Sequence, residues 1–209
     1  MHIPRSNTAG IEVLAFDDAL AEALQSQSEY DVEKWLYVPC RYDEYRYILG
    51  TRGKNPMICI GINPSTAAPD KLDPTLKSAE RISLYNGYDS FLMFNVYAQR
   101  ATNPDDMERE YNAWMQSENL KAFEYLLSIS PNPPSIWAAW GAIIEKRDYL
   151  SKCVSDLVKI GNRYGAKWYH AGAISKKGHP HHPLYLKSDT VFEPFDVDGY
   201  LADCTCFRR

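Results

Sequence analysis

The sequence lacks any apolar run that approaches the ~18 to 20 residues of a membrane span, and no apolar core follows a basic start at its N-terminus. It is also short of cations, since 23 Lys and Arg stand against 27 Asp and Glu and the formal net charge is -4. A protein that holds a long stretch of phosphate backbone needs clustered cations. We therefore expect a soluble, cytoplasmic protein without a membrane partner, and any contact with nucleic acid must be local.

Cysteines are few, odd in number and without the paired spacing of metal ligands. The five lie at positions 40, 59, 153, 204 and 206. Cys59 falls inside an apolar strand pattern, where a buried thiol is ordinary. We expect the thiols to be reduced.

Internal repeats, low-complexity tracts and linkers rich in Pro, Gly or Ser are also missing. With 209 residues, of which 45% are hydrophobic, the chain is long enough to bury a substantial core and short enough for one domain. We expect a single domain over residues 1–209, with an N-terminal helical extension over 1–44 and a C-terminal tail over 195–209.

Short apolar runs alternate with helical patterns along the chain. Strands are predicted over residues 57–62, 91–97, 135–140 and 167–170, each flanked by Pro, Gly, Asn or Ser. Apolar residues at spacings of three and four predict helices over about 74–84, 105–128 and 142–160. This alternation predicts an α/β fold with three layers, α/β/α, around a mainly parallel central sheet.

Two further elements are predicted before the first of these strands. Residues 17–36 are typical of a helix capped by Asp17 or Asp18. Residues 45–49 are typical of a short edge strand that ends in a turn over residues 50–53. The predicted sheet therefore begins with an edge strand.

The residues that follow each strand carry the functional information, because ligands of open parallel sheets bind at the carboxyl ends of the strands. The first strand ends in Gly61-Ile62-Asn63-Pro64-Ser65. The glycine permits close approach of the backbone, Pro64 fixes the turn, and Asn63 places an amide at the mouth of the strand. Such an amide either holds a ligand or a water molecule, or caps the backbone of an ordinary turn.

At the second strand, Asn95 interrupts an apolar run. A buried amide is costly without hydrogen-bond partners. It offers a donor and an acceptor, which suits the Watson–Crick edge of a pyrimidine. The alternative is a hydrogen bond to a neighbouring loop.

The segment over residues 178–184 places three histidines between prolines. These are His179, His181 and His182. A metal site that recruits Cys204 and Cys206 is one interpretation. The prolines restrict how the histidines converge and no matching acidic pair is evident, so we expect no metal.

Taken in order, these motifs resemble those of the uracil-DNA glycosylase superfamily. The order is GINPS, then Asn95, then a strand ending at Gly141, then HPHHPL. The first motif is similar to that of the mismatch-specific and single-strand-selective branches, which carry Asn there. The last resembles their His-Pro-Ser-Pro loop, which precedes a wedge residue.

A closer resemblance is to the bacterial and phage family catalogued as domain of unknown function 1643. It covers most of residues 45–187 and is carried by Tyr45-Arg46-Tyr47, GINPSTA, Asp73-Pro74-Thr75 and GHPHHPLYL. The resemblance to that family implies no particular activity. The cysteine pattern departs from the glycosylase branches that hold an iron–sulfur cluster, so we expect no cofactor.

The superfamily resemblance implies a uracil-DNA glycosylase-like fold and an enzyme that flips a base out of DNA and hydrolyses its N-glycosidic bond. It implies that Asn63 positions the water, that Asn95 reads the base, and that His179 or His182 hydrogen-bonds the departing base. The final loop has one residue more than His-Pro-Ser-Pro, so either histidine can take the catalytic place.

The same resemblance assigns the remaining site residues. Gly61, Ile62, Pro64, Ser65 and Gly141 would line the substrate pocket, Leu184 would be the wedge beside Tyr185, and Lys176, Lys177, Ser65 and Ser175 would contact flanking phosphates. A solvated loop is the alternative for the lysines. The implied partner is DNA, bound by a monomer through a local footprint.

Uracil-specific branches place a bulky aromatic residue soon after the first motif, whereas this chain has Ser65-Thr66-Ala67-Ala68. We therefore expect a larger modified pyrimidine, such as a hydroxymethylated or glycosylated cytosine of phage genomes, and an antiviral or phage-encoded enzyme. The alternatives are a non-catalytic module that binds a modified base, a hydrolase of free nucleosides or nucleotides, and a metal-dependent nuclease.

Overall fold

The computed structural model describes residues 1–4, 12–25 and 29–207. Seven strands form one mixed sheet: β1 (Trp35–Val38), β2 (Ile48–Thr51), β3 (Pro56–Gly61), β4 (Ser90–Asn95), β5 (Ser135–Ala138), β6 (Lys167–Ala171) and β7 (Phe192–Pro194). The α-helices of the described ranges are α1 (Phe16–Leu24), α2 (Pro74–Tyr85), α3 (Ala113–Ile129), α4 (Asp148–Arg163) and α5 (Val197–Asp203). The predicted α/β class is confirmed.

The sheet has a parallel centre and antiparallel edges. Its strand order is β1-β2-β4-β3-β5-β6-β7. The neighbours from β4 to β6 pair in parallel, whereas β1, β2 and β7 add antiparallel strands at the two edges. The prediction of a mainly parallel sheet holds for the centre only.

Side chains of the central strands alternate between two apolar clusters, one on each face of the sheet. In β3, Ile58 and Ile60 pack into the cluster that contains residues of α1, α3, α4 and α5. Met57 and Cys59 point to the opposite cluster, which contains the apolar face of α2. Both faces of β3 are buried, which is why its sequence is an unbroken apolar run rather than an alternating one.

Side-chain caps set where two of the helices begin. Asp73 accepts a hydrogen bond from the Leu76 amide at the start of α2, and Pro74 follows it in the first turn. Asn112 caps α3 in the same way. The helix predicted over 105–128 therefore starts later than expected, and the one predicted over 142–160 is divided into a 3-10 turn (Gly141–Lys146) and α4.

The prediction of a helix over residues 17–36 is wrong at its C-terminal end. The backbone of α1 ends at Leu24, and its N-cap is Ala15, without a side-chain hydrogen bond from either aspartate. Trp35 and Leu36 belong to β1, where successive side chains enter opposite apolar clusters, as a strand buried on both faces requires. Residues 26–28 of that prediction lie outside the described residues.

The predicted edge strand and the C-terminal tail also differ from expectation. β2 begins at Ile48 and is not an edge, because β1 pairs with its outer side, and Gly50 and Thr51 belong to the strand rather than to a turn. The described part of the tail packs against the domain, with Tyr200 and Cys204 buried, and residues 208–209 lie outside the described ranges. None of the helices described has the length and apolar character that crossing a membrane requires.

Candidate functional site

A cleft of about 420 Å³ opens beside the carboxyl ends of β3 and β4. β3 and β5 are neighbours in the sheet, but the chain leaves β3 towards β4 and leaves β5 towards β6, on opposite sides. Such a reversal of strand order is where open α/β sheets bind their ligands. The topology alone therefore indicates a ligand site at this end of the sheet.

Most of the residues predicted for the site line this cleft. They are Gly61, Ile62, Asn63, Ser65, Asn95, His182 and Leu184. Pro64 and Gly141 are buried next to it rather than in its lining. Gly141 has a φ of 63°, a backbone conformation that favours glycine. A Cβ there would lie 3.6 Å from the Cβ of His182, so this glycine lies next to the histidine.

Asn63 is held by its amide nitrogen. Nδ2 donates to the carbonyl oxygens of Pro64 at 3.0 Å and Ala101 at 2.8 Å. Both amide protons are thereby used on the backbone, and the group left for a ligand is Oδ1, an acceptor. The side chain caps the turn and offers an oriented oxygen at the same time, so the two alternatives drawn from the sequence are compatible.

Asn95 is fully buried, and within the described protein neither Oδ1 nor Nδ2 has a hydrogen-bond partner. Its backbone carbonyl is fixed by Nδ2 of Asn119 at 3.0 Å. A Cβ on Gly61 would lie 3.2 Å from Oδ1 of Asn95, so the glycine leaves room beside the amide. A donor and an acceptor on one edge therefore face the cleft without competition from the protein.

His182 is the histidine that the fold brings into the cleft. Burial, reinforced by His181, lowers its pKa to about 4, so the imidazole is neutral near pH 7. The Leu184 amide donates to its Nδ1 at 3.3 Å, which leaves the proton on Nε2. The loop is fixed to α2 because the Ser78 hydroxyl donates to the carbonyl of Pro183 at 2.8 Å.

His179 lies elsewhere and is buried. Its Nδ1 is 2.9 Å from the Tyr200 hydroxyl and its Nε2 is 2.9 Å from Oε1 of Glu145. Its ring and the sulfurs of Cys204 and Cys206 lie within 4.8 Å of one another, a spacing that a metal could use. Because both ring nitrogens already have partners, we assign His179 to the packing of the C-terminal segment rather than to the cleft.

The residues predicted to contact DNA are divided between two surfaces. Leu184 lines the cleft, and the next residue, Tyr185, is 92% exposed with a φ of 70°. Lys176 and Lys177 line a separate depression. Lys177 is also paired with Glu145 at 2.7 Å. Of the six predicted contacts, Leu184, Tyr185 and Ser65 are therefore the ones at the cleft, whereas the Ser175 hydroxyl accepts from the His179 amide at 3.0 Å.

Two residues of the cleft have no role that could be predicted from the sequence, although both lie in motifs quoted above. Arg46 is fully buried and lines the cleft. Its Nη1 donates to the carbonyl of Ala67 at 3.1 Å, and Nε and Nη2 have no hydrogen-bond partner in the described protein. Burial and the neighbouring Arg100 lower its pKa to about 9, so it stays charged near pH 7.

Asp73 is the second of these residues. Of the described residues that line the cleft, it is the only carboxylate. Oδ1 accepts the hydrogen bond that caps α2, at 2.9 Å from the Leu76 amide, so Oδ2 is the oxygen left for a ligand or water. An Asp-Pro pair before a helical pattern is fully explained as a helix cap, so the sequence gives no sign of its place in the cleft.

Arg100 shapes the cleft without lining it. Its guanidinium donates to the carbonyls of Ser65 and Ala67 and, at 3.0 Å, to the Tyr37 hydroxyl. It also lies over the ring of Tyr42, 4.3 Å from the centroid. Arg100 thus fixes the loop that follows β3, and with it the wall of the cleft.

Comparison with known proteins places the chain in a family. The family model described as protein of unknown function (DUF1643) matches residues 46–184. No curated protein and no solved structure matches the chain. The matched span contains the motifs quoted above for this family, except for Tyr45 before it and Tyr185 and Leu186 after it. The chain therefore belongs to the DUF1643 family of proteins of unknown function.

Proposed function

We propose that this protein is a DNA glycosylase, with a three-layer α/β/α fold like that of uracil-DNA glycosylases, that flips a modified pyrimidine out of DNA and hydrolyses its N-glycosidic bond. One observation carries the proposal. The acceptor of Asn63, the unpaired amide of Asn95 and the neutral imidazole of His182 all face one cleft. Each group matches a different requirement of the reaction.

Cleavage of a base from deoxyribose passes through an oxocarbenium-like sugar and a base that gathers negative charge. A water molecule must attack the sugar from the side opposite the base. Oδ1 of Asn63 is suited to orient that water, since its position is fixed by two hydrogen bonds from Nδ2. It orients but does not accept a proton, because an amide is not a general base.

We assign His182 the role of donating a hydrogen bond to the departing base. A neutral imidazole that carries its proton on Nε2 donates a hydrogen bond to a developing anion without first having to be protonated. Asn95 then pairs with the polar edge of the base through its free donor and acceptor. These hydrogen bonds strengthen as the base gains negative charge, so the site binds the departing base more tightly than the base of the uncleaved substrate.

Asp73 supplies the carboxylate that Asn63 lacks. Its free oxygen lies in the same cleft, and a carboxylate accepts a proton from water. We assign Asp73 the role of general base, or of an electrostatic partner of the oxocarbenium-like sugar. This assignment removes the main chemical objection to a hydrolytic enzyme with Asn at position 63.

The small side chains after Asn63 favour a substituted base over uracil. Ser65 and Thr66 line the cleft, and its volume of about 420 Å³ lies in the range of small-molecule sites, ~300 to 1,000 Å³. Hydroxymethylated and glycosylated cytosines of phage DNA are the substrates that we favour. Leu184 would fill the space left by the flipped base, with Tyr185 exposed beside it.

The remaining features of the proposal are a cytoplasmic monomer that needs no cofactor and holds DNA through a short footprint. A formal net charge of -4 is compatible with such a footprint. An antiviral or phage-encoded role follows from the proposed substrate. Because Lys176 and Lys177 line a different depression, contacts with flanking phosphates are assigned mainly to the loop around Leu184.

A non-catalytic module that binds a flipped base is the second candidate. The observation that favours it is that the amide of Asn63 cannot take a proton from water, so that hydrolysis depends on Asp73, whose Oδ1 already caps α2. The two functions share the same cleft and differ in whether the glycosidic bond breaks. An assay of abasic sites therefore separates them.

The test is incubation of DNA that carries uracil, mismatches or hydroxymethylated and glucosylated cytosine, followed by alkali to break the strand at abasic sites. We expect breaks in the phage-modified DNA, and a loss of roughly 100-fold or more with Asn63→Ala, because the water is no longer oriented. Asn162→Ala is the matched control, since its amide bonds to Asp198 on an exposed surface. Breaks that persist in Asn63→Ala would contradict the assignment, and equal cleavage of uracil DNA would contradict the preference for modified bases.

A further inference from the structure

Arg46 has an unusual environment for a charged residue. Its relative exposure is 0%, and it lines the cleft. Within its guanidinium group, Nη1 bonds to the backbone, while Nε and Nη2 have no partner in the described protein. Nε and Nη2 form one edge of the planar group, the edge that binds a carboxylate or phosphate through two parallel hydrogen bonds.

Arg46 has no salt-bridge partner among the described residues. Within the described part of the chain, no carboxylate lies within 4.0 Å of its nitrogens. After burial, the strongest influence on its pKa is another cation, Arg100, which outweighs the opposite effect of Asp73. An unpaired buried charge is costly, and a chain that only needed to fill this position would be more stable with an apolar side chain of similar size.

Arg100 shows what a structural arginine looks like in the same region. Both of its terminal nitrogens are bonded, to two backbone carbonyls and to the Tyr37 hydroxyl. Only its Nε has no partner in the described protein. Arg46 therefore differs from its neighbour in having a complete binding edge left over.

The location of Arg46 connects it to the substrate. The one hydrogen bond of its guanidinium goes to the carbonyl of Ala67, in the run of small residues over 65–68, of which Ser65 and Thr66 line the cleft. The unpaired amide of Asn95 lines the same cleft. A ligand that pairs with Asn95 can thus extend a substituent towards the guanidinium.

We infer that the ligand of this cleft carries a carboxylate or phosphate group, and that Arg46 binds this group through Nε and Nη2. The inference rests on the proposed function in one respect, because it takes the ligand to be a pyrimidine held by Asn95. It narrows that proposal, since the substituent is then acidic rather than a neutral hydroxymethyl or glucosyl group. The anionic group is either a substituent of the base or the phosphate of a free nucleotide. A solvated surface cation is not an alternative here, because the side chain of Arg46 has no exposure.

The test measures binding, so that it does not depend on turnover. Wild-type protein is titrated calorimetrically with duplexes that carry 5-carboxycytosine or 5-hydroxymethylcytosine, and with deoxycytidine or its 5′-monophosphate. We expect the anionic member of at least one pair to bind about tenfold tighter or more, as a charged hydrogen-bonded pair should. A preference within the duplex pair identifies a base substituent, and one within the free pair identifies a nucleotide phosphate.

Arg46→Met should abolish that preference while keeping the fold. The carbonyl of Ala67 still accepts a hydrogen bond from Arg100, so no backbone group loses its last partner. We expect the thermal midpoint of Arg46→Met to equal or exceed that of the wild type, whereas Arg100→Met lowers it. Should Arg46→Met fail to fold, the wild-type comparison still decides the question.

Equal affinity of wild-type protein for both members of each pair, or no binding of any of the four, would overturn the inference, as would a preference that survives in Arg46→Met. The experiments separate failure of this inference from failure of the proposed function. Release of a base without any preference for an anion overturns only the role of Arg46. A preference for an anion without release of a base overturns only the glycosylase activity.

Discussion

The largely buried imidazole of His182 makes the stability of the protein depend on pH. Burial and His181 lower its pKa from 6.5 to about 4 in the folded protein. Between these two values the unfolded chain binds a proton that the folded chain does not. The free energy of unfolding therefore falls as the pH falls from 6.5 towards 4, and the imidazole causes no such loss above that window.

The size of the effect follows from the two pKa values. At pH 5 the imidazole is almost fully protonated in the unfolded chain and about one-tenth protonated in the folded one, which corresponds to about 2 kcal/mol of lost stability. His182→Gln has no group that titrates there. We expect wild-type protein to lose about 2 kcal/mol more than this variant between pH 7 and pH 5.

Urea denaturation of both proteins at pH 7 and pH 5 measures this difference, and contributions of the acidic residues largely cancel in it. An NMR titration of the His182 ring checks the pKa directly. If wild type and His182→Gln lose the same stability, or if the ring titrates near 6.5, then His182 is not held as a neutral donor and its role in the cleft fails.

Three further changes test the cleft. Asn63→Asp should have a free energy of unfolding about 1 to 3 kcal/mol lower than that of Asn63→Ala at neutral pH. Both variants lose the two hydrogen bonds of Nδ2, but the aspartate also holds a negative charge against the carbonyl oxygens of Pro64 and Ala101; equal urea midpoints would contradict this. Gly61→Ala places a methyl 3.2 Å from Oδ1 of Asn95 and 2.5 Å from Cε of Met93, whose flexible end can move aside. It should weaken nucleoside binding about tenfold in calorimetry, whereas unchanged affinity would place the ligand elsewhere. Leu184→Ala should reduce activity on duplex DNA about tenfold more than on single strands in a strand-break assay, and equal losses would remove its role as a wedge.

The central strands could be predicted from the sequence because each is bounded by Pro, Gly, Asn or Ser and carries an apolar run. As a result, β3 to β6 lie within a few residues of the predicted positions. The edges could not be predicted in the same way. β1 and β7 have four and three residues, too few for a clear strand pattern. Trp35 and Leu36 of β1 also fit a helical spacing.

The site was partly predictable for a topological reason. Asn95 is the last residue of β4 and Asn63 follows the end of β3, the adjacent parallel strand, so both lie at the same end of the sheet. Which histidine joins them depends on the path of the loop over residues 178–184, and no local pattern encodes that path. The place of Arg46 in the cleft could not be predicted, because an arginine between two tyrosines in the sequence does not indicate whether its side chain is buried.

The measurement that tests the proposed function most directly is mass spectrometry of the small molecules released from phage-modified DNA. We predict a free modified pyrimidine in the same amount as the alkali-labile sites that appear, and roughly 100-fold less of both with folded Asn63→Ala. Release of nucleotides instead of a base, or no release from any of the DNAs, would contradict the proposed function.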